Sequence, residues 1–536
     1  MTPEQGPEGS TAPVEPPSSD GGGARAPSML DAVLPIVVLI ALLATTIALF
    51  GIAATDGPLQ IALFLSAAFA SLLAFKNGHT VAAVADAAVG GVSTALGAIF
   101  ILLAVGALIG TWNMAGTIPT VVHLGVGFLS PSLFFFATAA ICALVGMVTG
   151  SSWTTAGTLG VAFIGMANVL GVSEAIAAGA IISGAYFGDK MTPLSETTIL
   201  VPSLVGGVTT SQHIRNMAWT AVPALGISLV IFLLLGLNAH PAAASSTEAA
   251  QAALEKAFNI TPWNLLPLLL LVIFSIRKAP AFLSILGSAL FAGILALFTQ
   301  PAAVKAFVGE PGLNPVTTGI KAIFAAMATG FSSKTGVPAV DDLFSRGGMA
   351  GMLTTVWLVL GALSFGAVME HAGFLERVIR PVVTRARTRG RLVLAVNLTG
   401  VGLNVIAGDQ YVADVLPARM YRAEFARRGF PPQMLSRAVE DSGTVTSVLV
   451  PWNTCGAYIS GVLGVATGTY LPFCFFNILS PILDVLYGVT GFRWPPTEPP
   501  AEPTVVIPDE PERRERDGFE EGSAPPVAEE RGRSHR

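Results

Sequence analysis

The chain has 536 residues, of which 52% are hydrophobic and only 12% charged. A soluble domain carries about twice that charged share, so an ordinary water-soluble globular protein is excluded. The net charge of −5 says little, because acidic residues concentrate in the two tails.

In chain order, residues 1–28 are rich in Pro, Gly, Ser and Glu and read as a disordered tail without a signal peptide. Long apolar runs follow at 33–54, 91–110, 217–237, 279–298 (after a shorter one at 265–276) and 448–490. Each long run can cross a hydrocarbon core of about 30 Å, and roughly 11–14 spans are expected. Residues 493–536, rich in Pro, Glu and Arg, read as a second disordered tail. The isolated Cys142, Cys455 and Cys474 read as packing residues in apolar surroundings. The fold class expected is an all-α polytopic membrane protein.

Between the tails the sequence echoes itself. One apolar helix ends in GTWNMAGTIP (110–119) and another in GAVMEHAGFLE (366–376). Superposing their Ala-Gly pairs places Asn113 opposite Glu370, at an offset of 257. Further on, Asp189, Thr192 and Ser195 share the spacing D-x-x-T-x-x-S with Asp441, Thr444 and Ser447, at an offset of 252. The order and spacing together predict an internal repeat. Arg377, Arg380, Arg385, Arg387, Arg389 and Arg391 fill one loop of the second half, whereas its counterpart at 117–130 has no Lys or Arg. Arg419, Arg422, Arg427 and Arg428 repeat the contrast with 167–175, and Arg277-Lys278 does so with AATDG. Basic loops prefer the cytoplasm, so the halves are expected to lie opposite ways up. The predicted division is a first transmembrane repeat at 29–240, an extracytoplasmic linker at 241–261 and a second repeat at 262–492. Both termini are then cytoplasmic, in the cell membrane.

Four polar segments interrupt the apolar runs: TGSSWTTAGT (149–158), GDKMTPLSETT (188–198), NVIAGDQYVAD (404–414) and EDSGTVTSVLVPWNTCG (440–456). A carboxylate at the bilayer centre costs about 2.5–3.5 kcal/mol even on gentle scales. Asp189, Glu196, Asp409, Asp414, Glu440 and Asp441 together therefore need a reason. Gly and Pro break helices, and unwound backbone at membrane depth lies in protein or along a wet cavity, so discontinuous helices and re-entrant hairpins are expected. Hydroxyls, carbonyls and carboxylates suit a small hard cation, and a buried carboxylate also takes a proton. A site that holds either one, opening to alternate sides, exchanges them.

The coupling candidates are Asp189, Asp409, Asp441, Glu196 and Glu370. Thr192, Ser195, Thr197, Thr154, Thr155, Asn113, Asn404, Thr444, Ser447 and Asn453 are candidate ligands, with Lys190 as charge partner. Plainer readings stand beside these. Asp189 is also suited to a helix N-cap or an ion pair with Lys190, Asn113 and Glu370 to helix caps, and Asp414 to pairing with nearby arginines. Glu440 and Asp441 diverge by about 100° on a helix, so only one can face the site. Asp441 is preferred because it has the repeat partner.

The strings GTWNMAGTIP, SSWTTAGT, GAYFGDKMTPLSETT, GDQYVADVLPARM and EDSGTVTSVLVPWNTCGAY resemble the NhaC-type sodium/proton antiporters of the ion-transporter superfamily. The resemblance spans about 90–490. It implies two inverted repeats and expulsion of Na⁺, or Li⁺, against entering H⁺. It favours Asp189, Thr192, Ser195, Asp409, Asp441, Thr444 and Asn453 as the site, with Na⁺ held by the first six. Three positions depart from the family pattern: Thr192 stands for Ser, Glu196 for Asp and Ile199 for Asn. The last loses an oxygen ligand.

No cofactor is implied beyond the transported Na⁺ and H⁺. The partners expected are the lipid bilayer and, as an option, a second copy of the chain, with no nucleic acid. Exchange of small carboxylates such as malate or lactate is the alternative function, for which Lys190 is the one basic residue in a polar core segment. An enzyme is not expected: the chain carries no Gly-x-Ser-x-Gly elbow, His-Glu-x-x-His or phosphate-cradling loop.

Overall fold

A computed structural model describes residues 24–239, 244–333, 341 and 344–493. The expected tails at 1–23 and 494–536 lie outside the described residues. Every regular element among those described is helical. Eight helices are long and apolar enough to cross a membrane, or ten if two bent pairs each count as one span. The expected 11–14 is approached only by adding interrupted or polar helices such as Arg389–Ile406 and Gln410–Arg427. Large apolar side chains face outward along the spans, including Leu49, Phe298 and Phe324 at more than 70% exposure, as a lipid-facing surface requires. The molecule is a multi-pass helical membrane protein.

Local chemistry sets the helix ends. Ser28 and Asp31 form a capping box at the start of Met29–Phe50, and Thr209 and Gln212 do the same for Thr210–Leu237. The stretch read as a linker contains the helix Ala244–Ala257, which buries Leu254. Two interior helices, Glu174–Lys190 and Pro131–Thr149, pack backbone to backbone. A Cβ at Gly184 would stand 2.2 Å from the Ala139 carbonyl oxygen, so only glycine permits the approach.

The helices recur in order. Leu96–Met114 and Leu353–His371 each have 19 residues and lead through a left-handed glycine, Gly116 (φ 72°) or Gly373 (φ 70°), into 12-residue helices. Pro131–Thr149 and Arg389–Ile406 follow, then Ser152–Leu170 and Gln410–Arg427. Glu174–Lys190 matches the segment opening at Pro432, and Glu196–Val205 matches Thr454–Leu463. Every matched start is displaced by 257 or 258. The halves also exchange partners: Pro58–Lys76 packs on Leu353–His371, and Ala281–Thr299 packs on Leu96–Met114. The indole N–H of Trp112 donates to Ser288 Oγ (3.1 Å) across the second contact.

This register corrects one expectation. At 258 Asp189 corresponds to Ser447, and Asp409 to Ser151; the offset of 252 that paired Asp189 with Asp441 has no structural counterpart. Asp189 sits at a helix C-terminus, whereas Asp441 lies in a π-helical turn, Glu440–Thr444, inside a continuous segment. Contacts obey the new register. Asp189 meets Ser152, and Ser447 donates to Gln410 (3.1 Å) at the equivalent place.

Candidate functional site

Four broken helices start around one cavity of about 590 Å³. Their N-caps are Ser151, Ser195, Asp409 and Asn453, two pairs related by the offset of 258. Free N–H groups and the positive ends of four helix dipoles therefore converge there. At three of the four starts a side chain answers one or two of these N–H groups, and Ser195 makes no such cap. Ser151 accepts from the Thr154 amide, Asp409 from that of Val412 (3.0 Å) and Asn453 from that of Cys455 (3.0 Å). Asp189 Oδ2 accepts from both the amide (3.0 Å) and the hydroxyl (2.7 Å) of Ser152.

Both carboxylates line the cavity, with Thr154, Ser195, Thr197 and Thr454. Glu196 lies on an exposed part of the wall, where Tyr411 donates to it (2.5 Å), and Lys278 stands at the rim. Ile199, half exposed, gives this wall an apolar side chain. Among the charged residues of the lining, acids outnumber bases three to one.

The other expected residues fall elsewhere. Asp441 is fully buried outside the cavity: Lys190 pairs with it, Thr220 donates to it (2.8 Å) and Ser480 does too (2.5 Å). Its two oxygens are committed to these three partners. Lys190 is withdrawn from any substrate for the same reason. Thr444 donates to Asp414 (2.9 Å), and Thr192 accepts only from the Leu194 amide within its own turn (3.4 Å). Neither reaches the cavity; of the six residues expected to hold Na⁺, Asp189, Ser195 and Asp409 line it. Thr155 turns to the Ser151 carbonyl (2.9 Å). Asn404 and Asn453 bond to each other (3.0 Å), bracing two broken segments. Glu370 is exposed at a helix end, outside the lining.

Glu440 and Asp441 do diverge, and Glu440 is the one bonded to the cavity wall, accepting from Thr197 (2.9 Å). The sequence reading missed Ser151 and Ser152, though both stand in TGSSWTTAGT where an N-cap belongs, and His213, Arg437 and Asp484. Asp484 had a signal: a lone acid within an apolar run. It is paired with Arg437 (2.7 Å) and Asn397 (2.8 Å).

A second cavity, about 220 Å³, is lined by Asn113, Arg346 and Gly464. It touches the far ends of three helices whose near ends line the first: Leu96–Met114, Ser152–Leu170 and Thr454–Leu463. The intervening layer holds Trp153 stacked on Tyr458, ring centroids 4.0 Å apart, with the Tyr458 hydroxyl donating to the Trp153 carbonyl (2.9 Å).

Known proteins resemble this chain over most of its length. The Na⁺/H⁺ antiporter family model matches residues 23–206 and 184–492. The Na(+)/H(+) antiporter NhaC of Alkalihalophilus pseudofirmus is 35% identical, over 81% of this chain and 90% of its own. The malate-2H(+)/Na(+)-lactate antiporter of Bacillus subtilis is 34% identical over 88% and 96%. The arginine/ornithine antiporter ArcD of Halobacterium salinarum is 34% identical over 89% and 95%. This chain belongs to the Na⁺/H⁺ antiporter family.

Proposed function

We propose that the protein expels cytoplasmic Na⁺, or Li⁺, in exchange for external H⁺, by alternating access to the cavity that Asp189 and Asp409 share. The observation that carries this reading is the pairing of two carboxylates on one cavity from which the buried lysine is excluded, Asp409 capping a helix N-terminus and Asp189 facing another from the end of its own helix. Helix dipoles and the Ser152 donors stabilise the anionic form, which attracts a hard cation. Thr154 and Thr454 offer hydroxyl oxygens beside them. A proton and a cation compete for the same carboxylate charge, so each displaces the other.

In this reading the halves are inverted repeats, both termini are cytoplasmic, and Lys278 marks a cytoplasmic mouth. The smaller cavity is the closed external vestibule. Carboxylate exchange has one observation in its favour, the four converging N-termini. Against it, three of those N-termini are partly answered by the protein's own side chains, and Lys190 is locked to Asp441.

The test uses purified protein in liposomes with an acidic interior and a pH-sensitive dye. Na⁺, Li⁺, K⁺, malate and arginine are added in turn. Dissipation by Na⁺ or Li⁺ is the expected result; dissipation by malate or arginine alone overturns the reading.

A further inference from the structure

The short helix Phe374–Arg385 follows the Leu353–His371 span and turns its apolar residues inward. Phe374, Leu375 and Ile379 are buried, and the helix packs on Met29–Phe50. Its outer side is basic. Arg377 and Arg380, one turn apart, are exposed, as are Arg385, Arg387 and Arg391. Between 376 and 391 stand six arginines, no lysine and a single acid, Glu376.

The fold does not use these charges. Among the described residues, none of the five exposed arginines forms an ion pair. The other basic loop differs, because Arg427 and Arg428 both pair with Glu424. The repeat does not demand the charge either. The equivalent helix of the first half, Thr117–Phe128, has no Lys or Arg and exposes Leu124 and Phe128 instead. A cation in the last turn suits a helix C-terminus, which accounts for Arg385 and leaves the rest.

The depth of this surface follows from what lies beside it. Arg389 Nε donates to the Gly488 carbonyl near the end of Phe475–Thr490 (3.0 Å). That helix end gathers Tyr487, Phe492 and Trp219, with the Arg493 guanidinium 4.1 Å from the Trp219 ring centre. Trp and Tyr collect where hydrocarbon gives way to head groups. The arginine face therefore stands at head-group depth, with the exposed Val382 offering an apolar side chain to the acyl region.

We propose that the face carrying Arg377, Arg380, Arg385, Arg387 and Arg391 binds the phosphodiester head groups of anionic phospholipids. A guanidinium presents paired N–H donors that match phosphate oxygens, and it is more weakly hydrated than an ammonium. Four or more basic residues on an amphipathic helix at a membrane surface are the arrangement such head groups require. A lipid held there ties Phe374–Arg385 to the start of Arg389–Ile406. The proposal is independent of which ion is carried and in which direction.

The test is native mass spectrometry of the purified full-length protein, titrated in detergent micelles with dioleoyl phosphatidylglycerol or dioleoyl phosphatidylcholine. Wild type is expected to bind the anionic lipid about tenfold more tightly, or better, than the zwitterionic one. Arg377→Gln, Arg380→Gln and Arg387→Gln each lose about fivefold of that affinity, and their combination falls to the phosphatidylcholine level. Arg427→Gln removes an arginine that has its own carboxylate and stays within about twofold of wild type. The three single variants carry the test if the combination fails to fold. No preference in wild type overturns the proposal, as does a preference unchanged in all three single variants. An equal loss in Arg427→Gln reduces the effect to overall charge and overturns it too. A preference that emerges only when Asp509, Glu510 and Glu512 are made neutral assigns the surface to the chain's own acidic tail instead.

Discussion

Replacing Lys190 with methionine removes a buried ammonium and leaves the Asp441 carboxylate uncompensated at 0% exposure. Breaking such a pair from one side costs about 3–5 kcal/mol, which changes the folded-to-unfolded ratio by about two to three and a half powers of ten. Thr220 and Ser480 still donate to Asp441, so the lower end of that range is expected. The double variant Lys190→Met/Asp441→Asn removes both charges and keeps an acceptor oxygen for one of the two hydroxyls. It is predicted to recover about 2–3 kcal/mol of the loss, as coupling within one network allows. Unfolding by SDS in mixed micelles, run as a double-mutant cycle, measures the term. If Lys190→Met costs under about 1 kcal/mol, the ion pair is no structural lock. If the two single losses simply add, the partners are not coupled. Either result returns Lys190 to the pool of residues free to hold a carboxylate substrate.

Three further outcomes follow from named contacts. Gly184→Ala forces a methyl group against the Ala139 carbonyl and is expected to cost about 1–3 kcal/mol in the same assay, whereas Gly226→Ala, with open space around its Cβ position, costs little. Ser152→Ala deletes the 2.7 Å hydroxyl donor to Asp189 and leaves the amide, a loss expected to cost about 1–2 kcal/mol in the same unfolding assay. Trp153→Ala removes the stack between the two cavities, so radioactive Na⁺ uptake should rise without matching proton movement; unchanged coupling means that the stack is not a barrier.

The apolar runs, the Ala-Gly breaks after Met114 and His371, and the polar segments are local features, and the sequence displays them because helix ends and spans are decided locally. Asp189 and Asp409 were singled out that way, each beside a Gly and at a break. What stayed hidden is tertiary. Lys190 and Asp441 are 251 positions apart, and nothing near either one announces the other. The false register arose because D-x-x-T-x-x-S is built from common residues that recur at the same spacing without a structural relation. Choosing between Glu440 and Asp441 required knowing which face met Thr197, which periodicity alone cannot supply.

The most direct test is equilibrium binding of radioactive Na⁺ to purified wild type, Asp189→Asn and Asp409→Asn across a pH series. Wild-type binding should weaken in acid as protons compete, and each neutral variant should bind about tenfold more weakly or worse, the loss expected for a charged contact. Undiminished Na⁺ binding in both variants, or wild-type binding indifferent to pH, contradicts a site shared by cation and proton.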